Sequence, residues 1–262
     1  MYPYDIFPGI DLYTLLLCAA IVAAIVTFRL CADRAGLSAG LQNLCVIDGA
    51  VSIAVGYFFA VFFQALYNIG KYGEFRIDAA TGATFYGGLI GGAACFLLVY
   101  FVGGRFLFRQ SGEHLRDFFT VSDIAAASIA IAHSIGRIGC LMAGCCHGAQ
   151  TDRWYGIYMV AIGRKVIPTQ LYEALFLLAL FLFFLYRLSR KKSYNLCLYM
   201  ALYGVWRFLI EYARDDYRGT TLVSFLTPSQ LIALLMVAGA GALYLVMRHL
   251  KKKAEAVHEE KA

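Results

Sequence analysis

The chain has 262 residues, of which 61% are hydrophobic and only 15% charged, with a mean hydropathy of +0.66. Soluble domains use roughly 45–50% apolar residues, so a water-soluble globular fold is excluded and a membrane protein is expected. The net charge of +6 is mostly accounted for by residues that set membrane orientation, and it calls for no nucleic acid partner.

At about 20 apolar residues per crossing, seven segments qualify, near 12–30, 45–67, 85–102, 122–142, 168–187, 194–212 and 228–248. The predicted fold is all-α: a polytopic integral membrane protein of seven transmembrane helices with a small extracytoplasmic head. One such domain is expected to fill residues 1–262, with residues 251–262 as its charged cytoplasmic tail. The first segment is not read as a cleavable signal, because MYPYDIFPGID has no basic region ahead of an apolar run of spanning length. Fourteen Lys and Arg fall after helices one, three and five and in the tail, against seven on the opposite side. The amino terminus is therefore expected outside and the carboxyl terminus in the cytoplasm.

In chain order, the arm to Asp11 carries Tyr2, Tyr4 and Phe7, aromatics suited to a membrane interface. Tyr13 and Thr14 follow near the outer end of helix one, where Tyr13 is either interfacial or part of a site. Helix two holds Asp48 and Gln64, and Asp48, near the cytoplasmic boundary, is read as solvated or capping. The outer loop 68–84 then leads into FYGGLIGG at 85–92. Its glycines, Gly87 and Gly88 among them, allow close approach of a ligand or of another helix. Tyr86 stands immediately before the glycine pair. The cytoplasmic loop 103–122 is read as a solvated connection with an amphipathic piece and is assigned no chemistry. Asp123 is expected to cap or compensate a helix end.

Residues 133–148, HSIGRIGCLMAGCCHG, are the stretch around which the rest is organised. Arg137 follows a run of small apolar residues and sits near or inside the hydrocarbon layer. A cation there costs about 2.5–3.5 kcal/mol on insertion scales, so it is read as functional. His133, four residues earlier, shares its helix face and is either a packing residue or a site residue. Cys140, Cys145, Cys146 and His147 cluster at the outer end of the helix. They admit a metal site, a redox or disulfide pair, or plain packing around a glycine turn; packing is preferred and no metal is assigned, since adjacent cysteines rarely share one ion. The segment 149–166, with Asp152, Arg153, Trp154, Tyr155 and Tyr158, is the expected outer head. VIPTQLYEA opens helix five with Pro168 in its first turn, and Gln170 and Glu173 lie i and i+3 just inside it. Glu173 is a plausible partner for Arg137. Helix six carries Tyr203, Arg207, Glu211 and Arg214, then Asp215 and Asp216; Arg207 and Glu211 form an i, i+4 pair that is either self-satisfied or part of a site.

These segments resemble a known family. GRIGCLMAGCCHG at 136–148 resembles the Gly-Arg-x-Gly-Asn signature of the prolipoprotein diacylglyceryl transferases, FYGGLIGG their His-Gly-Gly-Leu-Ile-Gly element, PTQLYEA at 168–174 their Pro-Ser-Gln-Leu-Tyr-Glu segment, and WRFLIEYAR at 206–214 their Arg-Phe-x-x-Glu-x-x-Arg helix. SFLTPSQLIAL at 224–234 resembles the start of their last helix. The four motifs fall in the family's order and cover nearly the whole chain.

The resemblance implies transfer of the diacylglyceryl group of phosphatidylglycerol to the lipobox cysteine of a preprolipoprotein signal peptide, with release of glycerol 1-phosphate, as the first step of lipoprotein maturation. It implies a multi-pass protein of the bacterial plasma (inner) membrane with its active site facing the outer leaflet, the lipid bilayer as its surroundings and no cofactor. Arg137 and Arg207 match the family's functional arginines and are expected to clamp the phosphodiester; two guanidiniums suit that anion. Tyr86 and His133 are the further catalytic candidates, with Glu211, Arg214, Gly87, Gly88, Tyr13, Gln170, Glu173 and Gly148 expected around the substrate. The chain departs from the pattern where Tyr86 replaces the histidine implicated in thiol activation, where Cys140 and Ala143 replace asparagines and Gly144 or Cys145 an acidic residue, and where Ala60 or Phe62 stands in place of an arginine. His133, His147 and Glu173 remain substitutes for the base. Two other functions stay open: a lipid-group transferase with another acceptor, and a transporter or receptor for an anionic lipid or metabolite.

Overall fold

The computed structural model describes residues 4–73, 75, 77–78, 81–214 and 226–259. Tyr2, Asp215 and Asp216, named in the sequence reading, lie outside the described residues. The helices are α1 (Leu12–Ala35), α2 (Ala39–Tyr72), α3 (Phe85–Leu107), the short α4 (Glu113–Arg116), α5 (Phe118–Ala143), α6 (Thr169–Ser189), α7 (Asn195–Ile210) and α8 (Pro228–Glu259). The all-α polytopic reading holds. Among the described residues six helices are long and apolar enough to cross a membrane. The seventh expected span is α7, whose 16 residues cover about 24 Å at 1.5 Å per residue, short of a hydrocarbon core of about 30 Å.

Short strands were not foreseen. Asp5–Phe7 (β1) pairs antiparallel with Ile10–Asp11 (β2), and Ile157–Met159 (β3) with Arg164–Val166 (β4). The second pair is the expected head: a hairpin closed by a 3₁₀ turn at Val160–Ile162, with Trp154 91% exposed beside it. The hairpin is anchored through Met159 and Val166, which bury against Leu141 at the end of α5.

The chain forms two compact units, Ala32–Phe118 and the remainder. In the smaller unit α2 and α3 pack closely because glycines line the contact. A Cβ on Gly56 would lie 2.9 Å from the Gly88 carbonyl oxygen, and one on Gly87 2.8 Å from that of Phe59. The space beside Gly87 and Gly88 is thus filled by α2, the small-residue packing that membrane helices favour. Ser38 caps α2 by accepting from the Leu41 N–H at 3.1 Å, and Gly73 ends it in the left-handed region. Asp48, read as solvated, is instead fully buried and accepts from Ser52 Oγ at 3.1 Å. A solvated reading fails because Asp48 is the tenth residue of the 34-residue α2, well inside the helix and on a buried face.

In the larger unit α5, α6 and α7 share a core. Ala126, Ala127 and Ala130 of α5 give room for Leu177, Leu180 and Phe184 of α6 and for Tyr199 and Tyr203 of α7. The span of α5 is 44% buried, against 22% for α1 and α8, which makes it the internal helix. Asp123 does serve a helix end, but that of another helix: its Oδ1 accepts from the Asn195 N–H that opens α7, at 2.6 Å. Arg187 fixes the same corner by donating to Asn195 Oδ1 and to the Ser193 carbonyl, both at 2.7 Å. Gly204 brings α7 against α8, since a Cβ there would sit 3.0 Å from the Ala233 carbonyl oxygen.

Candidate active site

The site grows from helix periodicity. His133 and Arg137, one turn apart on α5, face α6 and α7. Arg137 Nη2 pairs with Glu173 Oε1 at 2.9 Å, and the Glu173 side chain is 1% exposed. The same carboxylate oxygen accepts the Tyr203 hydroxyl at 2.6 Å. His133 packs edge to face against the Tyr203 ring, its Nδ1 3.1 Å from the Tyr199 hydroxyl and its Nε2 3.9 Å from Glu173. Ser134 ties α5 to α6 by donating to the Ala174 carbonyl at 2.8 Å. One carboxylate therefore compensates Arg137 while a stacked tyrosine pair, Tyr199 and Tyr203, holds that carboxylate in place. A guanidinium has five donors, and Arg137 Nε makes no hydrogen bond among the described residues.

The second arginine is built the same way. Arg207 Nη1 pairs with Glu211 Oε2 at 2.8 Å, and its Nη2 donates to Ser229 Oγ at 2.9 Å. Glu211 in turn accepts from Thr227 Oγ1 at 3.0 Å. Both oxygens of Glu211 are thus engaged, and the guanidinium is fixed from α7 and from the start of α8. Sequence reasoning named the Arg207–Glu211 pair but missed Ser229 and Thr227; a polar Thr-Pro-Ser-Gln run opening an apolar helix was the available signal.

The glycine-rich segment after α5 is pinned by its carbonyls. The Cys146 carbonyl accepts from Arg214 Nη1 at 2.7 Å and from Thr169 Oγ1 at 3.1 Å, and the Cys145 carbonyl accepts from the fully buried Gln170. Gln170 and Glu173, i and i+3 on α6, thereby serve two parts of one site. Gly148 bonds through its N–H to the Ile167 carbonyl at 2.8 Å, and only a glycine fits, because a Cβ would stand 2.5 Å from the Ala213 carbonyl oxygen. Tyr13 lies over Gly139, where a Cβ would come 3.1 Å from its ring. The structure thus gathers Arg137, His133, Glu173, Gln170, Gly148, Arg214 and Tyr13 around the outer part of α5, and pairs Arg207 on α7 with Glu211 in the 3₁₀ turn that follows it. Tyr86, Gly87 and Gly88 belong to the other unit, on α3.

The sulphurs of Cys140, Cys145 and Cys146 all lie within 4.8 Å of one another. Adjacent residues of an extended chain point to opposite sides, but Cys146 has a φ of 58° and Gly144 of 72°, a tight reversal that turns the three side chains together. Hydrogen bonds from Cys140 and Cys145, and then the charges of Arg137 and Arg214, hold the Cys146 thiol below the ordinary cysteine range. The same sharing pushes the Cys145 thiol up.

Residues 5–246 match the family model described as prolipoprotein diacylglyceryl transferase. The chain is 33% identical over 174 residues to phosphatidylglycerol–prolipoprotein diacylglyceryl transferase 2 of Clostridium perfringens, an alignment covering 64% of this chain and 63% of that protein. It is 33% identical to the corresponding enzyme of Clostridium tetani over 65% of this chain and 66% of that one. With the enzyme of Clostridioides difficile it is 27% identical over 96% of both chains. The aligned region thus spans a little under two thirds of the first two relatives.

Proposed function

The chain belongs to the prolipoprotein diacylglyceryl transferase family, and from that premise we propose that it transfers the diacylglyceryl group of phosphatidylglycerol to the lipobox cysteine of a preprolipoprotein signal peptide. The thiolate sulphur forms a bond to the glycerol carbon that bears the phosphate. The carbon–oxygen bond breaks, its electron pair leaves with the phosphate, and glycerol 1-phosphate is released. The observation that carries this reading is the pair of arginines, each held by its own buried carboxylate, Arg137 by Glu173 and Arg207 by Glu211.

Such guanidiniums are fixed before substrate arrives, so they stabilise charge developing on the leaving phosphate without reorganising first. Arg137 and Arg207 are the phosphate clamps. Glu173, with Tyr203 behind it, and Glu211 with Thr227 position them. Gln170, Arg214 and Gly148 shape the segment beside the thiol, and Tyr13 borders it. His133, bonded to the Tyr199 hydroxyl and 3.9 Å from Glu173, accompanies Arg137 near the reacting centre. The positive-inside balance supports an amino terminus outside and a carboxyl terminus in the cytoplasm of the bacterial plasma membrane, with the site toward the outer leaflet; this orientation takes α7 with the 3₁₀ turn that follows it, Glu211–Ala213, as the seventh crossing.

The reading is tested by incubating the detergent-purified protein with phosphatidylglycerol and a lipobox peptide. Mass spectrometry is expected to find diacylglyceryl on the cysteine peptide, none on a peptide with serine in its place, and glycerol phosphate in step with product. Release of glycerol phosphate without peptide modification would contradict the acceptor assigned here.

A further inference from the structure

Three cysteines converge at the mouth of the site, and the arginine chemistry leaves them without a role. Their sulphurs lie within 4.8 Å of one another, and thiolates bound tetrahedrally to zinc at about 2.3 Å lie about 3.8 Å apart. Small side-chain rotations close that difference. The backbone beneath them is already fixed, by Arg214 and Thr169 at the Cys146 carbonyl and by Gln170 at that of Cys145. A zinc ion with three protein ligands and an open fourth position has the form of a catalytic rather than a structural site.

We propose that Cys140, Cys145 and Cys146 hold a zinc ion whose fourth position is taken by the acceptor cysteine, so that the metal presents the acceptor as a thiolate. The inference rests on the transfer reaction proposed above for the identity of that fourth ligand. Binding of the acceptor displaces a water and releases the thiol proton to solvent. The zinc-bound sulphur then attacks the glycerol carbon, and the thioether product, a weaker ligand than a thiolate, leaves the metal. No electron is gained or lost at any step. Four thiolates on a divalent ion carry a net charge of −2; Arg214, and Arg137 shared with Glu173, act on Cys146 and offset it in part. Arg137 thereby stands between the metal that holds the nucleophile and the phosphate that leaves. Among the described residues no histidine joins the three sulphurs, and His147 Nδ1 is turned to the Gly148 carbonyl at 2.8 Å.

The test uses the full chain, purified in detergent under reducing conditions, with zinc measured by mass spectrometry and free thiols counted after denaturation. One zinc per chain is expected, retained by Cys18→Ser, in which an exposed cysteine of α1 is changed, and lost from Cys140→Ser and Cys146→Ser. The cobalt-exchanged wild-type protein is expected to show thiolate-to-cobalt charge transfer and tetrahedral visible bands. These bands should shift when the lipobox peptide is added and stay fixed with the serine peptide. Zinc removal by a chelator should slow transfer by roughly two orders of magnitude, the scale of a lost proton-handling group, and zinc should restore it. A metal-free protein with its thiols free, a disulfide among the three, or cobalt bands indifferent to the thiol peptide would overturn the inference. So would full transfer by the stripped protein, which would leave the proposed function standing. Ligation of the thiol peptide without transfer would instead sink the proposed function while keeping the metal site.

Discussion

Arg137 and Glu173 meet at 2.9 Å between α5 and α6, with the carboxylate 1% exposed and its pairing oxygen also bonded to Tyr203. An ion pair this deep costs desolvation on both sides, and removing one member leaves the other charge stranded. Glu173→Ala is therefore expected to destabilise the protein by about 3–5 kcal/mol. Chemical denaturation in a fixed detergent checks it. Loss within about 1 kcal/mol, the range of exposed pairs, would mean the pair is solvated.

Tyr203→Phe removes one hydroxyl and keeps the ring that stacks on Tyr199 and meets His133. A hydrogen bond to a charged group contributes about 1.5–3 kcal/mol. The variant should lose stability on that scale while remaining folded. In a double-mutant cycle with Glu173→Gln the two changes should be strongly non-additive.

Arg207 reaches Glu211 with one nitrogen and Ser229 with another, a fork that an ammonium group does not reproduce. Arg207→Lys should thus retain the fold yet lose transfer by more than tenfold, since a 1.4 kcal/mol deficit in transition-state stabilisation already gives that factor. Ser229→Ala removes one hydrogen bond to a charged group and should cost about 1.5–3 kcal/mol of stability. Rates with varied phosphatidylglycerol separate the two.

Gly148→Ala places a methyl group 2.5 Å from the Ala213 carbonyl oxygen and 2.8 Å from Thr169 Cγ2. Backbone must move on one side or the other, at about 1–3 kcal/mol for an overpacked position. Reduced thermal stability with reduced transfer is expected, because Ala213 leads directly to Arg214 and Thr169 supports the Cys146 carbonyl.

Much of this was legible in the sequence. Most helix boundaries fell within about six residues of the apolar runs, since twenty apolar residues in lipid have few other conformations, while α8 runs on past its run to Glu259. The i, i+4 spacing of Arg207 and Glu211 placed that pair, and the rarity of buried cations pointed from Arg137 to a carboxylate partner. What periodicity does not carry is contact between distant segments. Asp123 caps α7 rather than its own helix because Asn195, 72 residues away, lies beside it. Asp48 is buried because helix α2 extends past the apolar run on both sides. The cysteines converge because of a positive φ at Cys146, a conformation that a non-glycine residue seldom advertises.

In the proposed function two carboxylate-held arginines grip the phosphodiester. The most direct test measures phosphatidylglycerol binding and peptide modification side by side for wild type, Arg137→Ala and Arg207→Ala, with monodispersity confirming the fold. Loss of transfer by about a hundredfold or more in each variant, equivalent to about 2.7 kcal/mol, with weakened lipid binding, is the predicted result. Near-wild-type transfer by either variant would contradict the account.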